Sequence, residues 1–303
     1  MHVYVPECVN AQCMDVVLGQ VFDQHGLLRS NKYTFDFEVC DDIDAAGIAM
    51  LDTLFICLGL EKCQIELALG NQLPQALNAL LRLQLNTAPD SILNEAVTIE
   101  KGGIEQNLCI HRFNARNDKL WFKRIFNNWL AHELYASALV IAPQTQNFIG
   151  LIENISMHAG VPIASVVSAY DAEQEEVRLV LSDAGKGIPP NIRRVWKAAI
   201  SDEVAIAKAI ENGPLGDSEA TGKEGGLGRL IKGIVDQQMG KVIITSGFGR
   251  LSCLSGTRSK IHVFEPTNAV YPGTMIEVVF STNAMGFSSM MNEPTLKEAF
   301  VLR

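Results

Sequence analysis

The chain has 303 residues, of which 48% are hydrophobic and 19% charged, values typical of a globular protein with one or two domains. Its formal net charge of −9 argues against a general binder of nucleic acid or of an anionic membrane, because those surfaces need clustered Lys and Arg. The most apolar stretch, Ala45 to Leu60, carries Asp52 and is shorter than a membrane span, which predicts a buried helix. The seven cysteines form no CxxC pair and no signal peptide is visible, so we expect reduced thiols and a cytoplasmic location.

The first 106 residues alternate between strand patterns and helix patterns. Polar and apolar residues alternate over Tyr33–Val39 and again over Cys63–Leu69, as they do in strands. An apolar helical run extends from about Ala46 to Leu60, and Leu73-Pro74 opens a second helix, since Pro is tolerated in a first turn. These spacings predict a small α/β domain over residues 1–106.

The remainder divides into a helical connector over 107–143, a larger domain over 144–282, and a tail over 283–303 with no assigned role. The larger domain is predicted to contain a helix at 146–158, a strand at Arg178–Ser182, a glycine turn at 183–190 and a helix at 202–212. After a glycine-rich loop, a second amphipathic helix begins near Leu227 and ends before Gly240, where a C-cap residue belongs. Further strands are predicted at 241–245, 259–264 and 274–281. The whole chain is therefore expected to have an α/β (α+β) fold.

Three residues of the predicted helix 146–158 share one face. Gly150, Asn154 and His158 are spaced by four positions, which places them above one another on a helix. Small and polar residues on a partly buried helix favour a pocket or a set of partners. The Asn154 side chain offers a neutral oxygen, a suitable ligand for Mg²⁺. An ordinary surface or capping role is the alternative for Asn154 and His158.

A second pattern, Asp183-x-Gly185-x-Gly187, follows a predicted strand. A carboxylate at such a position accepts a hydrogen bond from an exocyclic amine, and the glycines let the backbone approach a planar base. A plain surface turn has a similar composition.

A third pattern, Thr221–Gly228, is rich in glycine and leads directly into an amphipathic helix. Free backbone N–H groups at the helix start, with Lys223 nearby, suit a polyphosphate. A mobile surface loop is the alternative. The spacing fits neither a P-loop nor a dinucleotide-binding glycine motif.

In this order, the patterns resemble the conserved boxes of the GHKL superfamily of histidine-kinase-like ATPases, which have the Bergerat fold. The resemblance covers about residues 145–282. Asn154 and His158 resemble the N box, Asp183–Ile188 the first glycine box, Gly225–Gly228 the second, and Gly273-Thr274 the last. It implies an α/β sandwich with a mixed sheet, following the N-terminal domain.

The resemblance also implies roles for individual residues. Asn154 would bind Mg²⁺, while Asp183, helped by Thr274, would bind the adenine amino group. Gly185 and Gly187 would shape the adenine floor, and the second glycine box with Lys223 would form a lid over the phosphates. The implied pocket for ATP or ADP thus comprises Asn154, His158, Asp183, Gly185, Gly187, Ile188, Lys223, Gly225, Gly226, Leu227, Gly228 and Thr274.

One departure from the family pattern bears on catalysis. Members that hydrolyse ATP place a Glu four residues before the Asn, as the base that activates water, and that position here is Gly150. Glu153 is adjacent to Asn154, but one residue along a helix turns a side chain by about 100°. Glu153 is therefore a weak candidate for a catalytic base, and fast hydrolysis is not expected. His132-Glu133 is similar to the phospho-accepting motif of sensor kinases, although a structural or solvated His is favoured.

Residues 33–85 resemble a STAS domain, the fold of anti-sigma-factor antagonists. The similarity is based on a strand, the turn at Ile43–Gly47, an apolar helix and a further strand–helix pair. Phosphorylated members carry Ser or Thr in that turn, where this chain has Ala45 and Ala46. The resemblance therefore implies a domain that contacts proteins without a phosphorylation switch at that turn.

Three functions follow from these patterns. The first is a regulatory ATP- and Mg²⁺-binding protein of the signalling type, in which the nucleotide controls contact with a protein partner or within a homodimer. The second is a protein kinase or slow ATPase that acts on a partner. The third is an interaction module that has lost nucleotide binding. The fold alone does not decide among them.

Overall fold

The computed structural model describes residues 1–70, 74–85, 93–101, 104–114, 126–134, 141–142, 148–152, 163–197, 199–212, 226–237, 240–255 and 261–282. The fold is a mixed α/β fold, as predicted. Its helices are α1 (Met14–Val21), α2 (Ala45–Leu60), α3 (Gln75–Leu85), α4 (Asn127–Glu133), α5 (Ile188–Trp196), α6 (Asp202–Asn212) and α7 (Gly226–Ile231), the last followed by a π-helical turn at Lys232–Gln237; residues 148–152 are also helical.

The strands form two main sheets and one short parallel pair. They are β1 (His2–Tyr4), β2 (Cys8–Val9), β3 (Lys32–Asp36), β4 (Asp42–Ile43), β5 (Gln64–Ala68), β6 (Leu93–Lys101), β7 (Ile104–Asn114), β8 (Ile163–Asp171), β9 (Glu176–Asp183), β10 (Lys241–Leu254) and β11 (Ile261–Ser281).

The N-terminal layer is a parallel sheet of order β1-β3-β5 with helices packed against it. Helix α2 is apolar on every side and is buried along nearly its whole length, as the sequence predicted. It begins at Asp44, whose carboxylate accepts the Gly47 backbone N–H at 2.8 Å in an N-cap. The turn predicted at Ile43–Gly47 is therefore the last residue of a short strand followed by the first turn of this helix.

The second sheet has six strands in the order β10-β11-β9-β8-β7-β6, and every described pairing within it is antiparallel. The prediction of a mixed sheet is therefore wrong for the described strands, in which the consecutive pairs β6–β7, β7–β8, β8–β9 and β10–β11 are all antiparallel. Near one end of β9, Asp183 lies between Ala164 of β8 and Thr274 of β11.

Alternation along the central strands gives this sheet two buried faces. In β9, Val177, Leu179 and Leu181 join a core with residues 148–152, α6 and α7, and we call this side the helix face. Val180 points the other way and joins the core of the N-terminal layer. Helix α2 packs against β8, β9 and β11 on that second side, which we call the α2 face. The molecule therefore has three layers with the antiparallel sheet in the middle.

The structure shows which elements contain the residues at two predicted boundaries. Residue 106 was expected to end the first domain, but it lies inside β7, which pairs with both β6 and β8. The connector predicted over 107–143 begins as strand through Asn114, and within it α4 and residues 141–142 are helical. The sequence showed no strand signal there strong enough to outweigh the apolar helical pattern that follows.

The C-terminal half departs from the predicted elements in two further places. The glycine turn ends at Gly187, because Ile188 already begins α5. The described parts of the strands predicted at 259–264 and 274–281 belong to one long strand, β11, which bends where its register with β10 shifts. Gly240 ends the helical segment as expected, since its N–H bonds the Ile234 carbonyl at 2.9 Å. In the described part of the chain, no helix is long and apolar enough to cross a membrane.

Candidate functional site

The predicted first and last glycine boxes meet at one end of the sheet, on the helix face. Asp183 is the last residue of β9, and only 4% of its surface is exposed. Its carboxylate accepts the Gly185 backbone N–H at 2.8 Å and also bonds the backbone of Thr274. Burial nevertheless raises the pKa of Asp183 to about 7, because desolvation of the charged form outweighs these two hydrogen bonds. Asp183 is therefore a carboxyl group that titrates near neutral pH.

Ser246 of β10 ties the two glycine boxes together. Its hydroxyl donates to the Gly273 carbonyl oxygen at 2.6 Å and accepts the Ile188 backbone N–H at 2.9 Å. The same hydroxyl lies 3.4 Å from the Thr274 hydroxyl. Ser246 thus fixes the start of α5 to β11 through a single buried side chain.

Two glycines of the site have backbone angles that favour glycine. Gly187 has φ +74° and Gly273 has φ +119°. A Cβ atom at Gly187 would lie 2.7 Å from the Ser246 hydroxyl, and one at Gly273 would overlap the Asp183 carbonyl oxygen. The close approach of β11 to the end of β9 therefore requires glycine at residue 273.

Helices α5 and α6 pack beside this hydrogen-bonded cluster, against β10. The Asp202 carboxylate at the start of α6 accepts the Phe248 backbone N–H at 2.6 Å and pairs with Arg193 of α5. Arg193 also donates to the Ile200 carbonyl at 2.7 Å. These bonds hold both helices against the bend of β10 that carries Ser246. The exposed Trp196 ring lies 4.3 Å from the Lys208 ammonium group.

The structure therefore brings together five of the predicted site residues: Asp183, Gly185, Gly187, Ile188 and Thr274. Ile188 contributes its backbone N–H to Ser246, and its half-buried side chain packs against the helix-face core. No motif in the sequence singled out Ser246, because a lone serine in a strand has no distinctive pattern. Only the pairing of β10 with β11 reveals its role.

Only Gly226, Leu227 and Gly228 of the second glycine box lie within the residues that the structure describes. Gly226, Leu227 and Gly228 form the start of α7, and Leu227 is buried in the helix-face core. A Cβ atom at Gly228 would lie 2.6 Å from the Ile210 carbonyl near the end of α6. The contacts described for this box are thus with α6 and the core, and none of them reaches Asp183.

The remaining predicted residues, Asn154, His158, Glu153, Lys223 and Gly225, lie outside the described residues. Gly150 lies within the helical residues 148–152, which contribute Phe148, Leu151 and Ile152 to the helix-face core. Among the atoms that the structure describes, none would lie within 4 Å of a Cβ atom added at Gly150. Across the part of the chain that the structure describes, no three His, Cys, Asp or Glu side chains are grouped as a metal would require.

His132 lies at the end of α4, and its side chain is 84% exposed. Its ring nitrogen is 3.5 Å from the neighbouring Glu133 carboxylate. A solvated or core histidine was the favoured interpretation, and of these two the structure shows the solvated one.

Comparisons with known proteins give no family for the chain. No family model matches it, and no curated protein matches it. Among solved structures, a DNA polymerase sliding clamp from Caulobacter crescentus aligns with 14% identity and a TM-score of 0.12, covering 73% of this chain and 56% of the clamp. A TM-score this low carries no information about fold or function.

Proposed function

We propose that this chain is a cytoplasmic regulatory protein of the GHKL type, in which ATP bound with Mg²⁺ controls contact with a protein partner. The adenine would bind at Asp183 and Thr274, and the phosphates near the second glycine box. The Mg²⁺ assignment to Asn154 is based on the sequence resemblance alone. The N-terminal layer, with its STAS-like sequence, is our candidate for the surface that contacts the partner.

One observation carries the proposal. The two glycine boxes, about 90 residues apart in sequence, share one hydrogen-bonded cluster around the buried carboxyl group of Asp183. A buried carboxyl group is costly unless it is paired or used. Glycine permits close backbone approach beside it, since Gly273 packs directly against the Asp183 carbonyl oxygen. The buried carboxyl group at this junction is the feature that supports base recognition.

The acid–base chemistry of Asp183 predicts that nucleotide affinity depends on pH. Only the ionised carboxylate accepts hydrogen bonds with both oxygens, so a base that donates its amino group binds that form. Burial raises the pKa of Asp183 to about 7, and therefore the free protein must lose a proton to bind. Affinity for ADP should rise with pH up to about 7 and level off above it. In Asp183→Asn this dependence should disappear.

The direct test is calorimetric titration of the wild-type protein with ATP and with ADP in the presence of Mg²⁺. Asp183→Asn should weaken binding of both nucleotides by at least about tenfold, which corresponds to about 1.4 kcal/mol. Asn154→Ala should weaken the Mg²⁺-dependent part only. A matched control is Asp171→Asn, which alters an exposed turn carboxylate that accepts the Glu173 and Gln174 backbone N–H groups at 3.0 Å. No binding by folded wild-type protein would leave the interaction module as the surviving interpretation.

Whether ATP is hydrolysed depends on a catalytic base at position 150, where the ATP-hydrolysing members of the GHKL superfamily have Glu. A side chain at Gly150 would have room, since an added Cβ atom meets no described atom within 4 Å. If this chain is a regulator because it lacks that base, Gly150→Glu should gain phosphate release while nucleotide affinity changes little. Gly150→Gln is the matched control, because it has the same size without a basic oxygen. Rapid phosphate release by the wild type would instead favour the ATPase.

The kinase alternative has its own test. Radiolabelled phosphate from ATP should appear on neither this chain nor a co-purified partner if the protein is a regulator. Transfer that Asp183→Asn abolishes would favour the kinase and turn attention to Glu153 and His132. Light scattering with and without ADP would show whether the contact under control lies within a homodimer.

A further inference from the structure

Behind the candidate site, on the α2 face of the sheet, lies a buried chain of hydroxyl groups. The Thr53 hydroxyl of helix α2 is 2.6 Å from the Ser182 hydroxyl of β9, and Ser182 in turn bonds the Tyr271 hydroxyl of β11. Thr53 and Ser182 have no exposed surface, and Tyr271 is almost completely buried. Most buried hydroxyl groups are hydrogen-bonded, and these three satisfy one another.

This chain of hydroxyl groups lies beside both segments of the candidate site, the end of β9 and the part of β11 near Gly273. Ser182 immediately precedes Asp183 in β9, and Tyr271 lies two residues before Gly273 in β11. Because successive strand residues point to opposite faces, Ser182 faces α2 while Asp183 faces the site. The carboxylates of Asp183 and Asp52 add to burial in raising the pKa of Tyr271. One residue of α2 is therefore connected, through the Ser182 hydroxyl, to both site segments.

A neighbouring ion pair fixes the orientation of α2. Asp52 is fully buried, and its carboxylate accepts from the Arg112 guanidinium of β7, with one Nε–Oδ2 distance of 3.3 Å. An ion pair in the interior tolerates little change of geometry, because its attraction must offset the desolvation of both charges. Asp52 and Thr53 are consecutive, so α2 cannot turn or slide without breaking bonds to β7, β9 and β11 together.

We propose that Thr53 is a positioning residue of the nucleotide site, acting through Ser182 on Asp183 and through Tyr271 on Gly273 and Thr274. The proposal rests on the proposed function, because the site it positions is the adenine site. It goes further by assigning to the N-terminal layer a defined point of contact through which nucleotide binding and the partner surface influence each other. By reciprocity, any partner that shifts α2 changes nucleotide affinity by the same factor as the nucleotide changes partner affinity.

The sheet supplies a closely matched control. Ser165 of β8 pairs with Ser182 in the register of β8 and β9, is equally buried, and lies on the same face. Its hydroxyl has no hydrogen-bond partner in the part of the chain that the structure describes. Ser165→Ala therefore removes the same atom from the same environment without breaking the hydroxyl chain.

The first experiment measures ADP affinity by calorimetry in Ser182→Ala, Thr53→Val and Ser165→Ala. Loss of one buried hydrogen bond is expected to weaken binding by about three- to tenfold in the first two variants and to leave Ser165→Ala at the wild-type value. Thr53→Ser keeps the hydroxyl and should restore wild-type affinity. Equal affinity in all four variants, with normal binding by the wild type, would overturn the proposal.

A second experiment does not depend on any nucleotide. Amide hydrogen exchange of Gly185 reports on its bond to the Asp183 carboxylate. Thr53→Val should speed this exchange severalfold, whereas Tyr33→Phe should not, although it also removes a buried hydroxyl, one that donates to the Val21 carbonyl at 3.2 Å. Unchanged exchange at Gly185 in Thr53→Val would overturn the positioning role even if the protein bound no nucleotide. Failure of wild-type binding with faster exchange would contradict the proposed function alone.

Discussion

At the scale of single residues, Asp183 belongs to the candidate site and also affects the stability of the fold. Its folded pKa is raised to about 7 by burial, whereas an unfolded chain has an aspartate pKa of about 4. Between these values the folded protein holds a proton that the unfolded chain has released. The contribution of Asp183 to the free energy of unfolding is therefore fully present below about pH 4 and is lost as pH rises through about 7.

This gives a prediction for chemical unfolding. The wild type should lose stability relative to Asp183→Asn as pH rises from about 4 to about 7, by up to about 1.4 kcal/mol per pH unit. Urea unfolding of both proteins at several pH values measures the difference. A difference that stays constant over this range would mean that Asp183 is ionised in the folded protein well below neutral pH.

At the scale of elements, replacing two glycines of the larger predicted domain by alanine should change stability in opposite directions. Gly273 has φ +119°, and a Cβ atom there would overlap the Asp183 carbonyl oxygen. Gly150 lies in helical residues, and no described atom would lie within 4 Å of a Cβ atom added there. Gly273→Ala should cost several kcal/mol and separate β11 from the end of β9. Gly150→Ala should stabilise the protein by about 0.5–1 kcal/mol, since Ala is the better helix former. Thermal unfolding of the two variants tests both signs.

Sequence patterns predicted elements well where one periodicity dominated. Helix α2, predicted from about Ala46 to Leu60, begins one residue earlier, and strand β9 extends the predicted Arg178–Ser182 by only a few residues. The glycine boxes around Asp183 and Thr274 were identified by their resemblance to those of a known superfamily, and the structure brings these residues together. Ser246 and Thr53 could not be found this way, because their roles depend on pairings between distant strands and layers. That residue 106 lies inside a strand also depends on such pairings, those of β7 with β6 and β8.

At the scale of the whole molecule, the two predicted domains share a core. The cluster around α2 includes Ile110, Val167, Val180 and Met275 of the antiparallel sheet. Burial of this size across the boundary couples the layers, so they should unfold together. The Asp52–Arg112 ion pair lies at that junction.

Asp52→Asn leaves the Arg112 charge without its partner and should lower stability by about 3 kcal/mol. Exchange protection in α2 and in β9 should fall together, as expected for one cooperative unit. Glu66→Gln is the control, because the Glu66–Lys32 pair, at 2.6 Å, is solvent-exposed and should contribute little to stability. Loss of protection in α2 with β9 unaffected would show that the layers unfold separately.

The alternation along β9 also determines which changes of length the chain can accept. Asp183 and Ser182 occupy opposite faces, so deletion or insertion of one residue within Glu176–Asp183 would exchange their sides. The carboxyl group would then enter the α2 face, and the hydroxyl would enter the site. The exposed turn at 172–175, which joins β8 to β9, has no such constraint and would take an inserted epitope. Variation in length among relatives of this chain should therefore accumulate in that turn and be absent from the strand beside it.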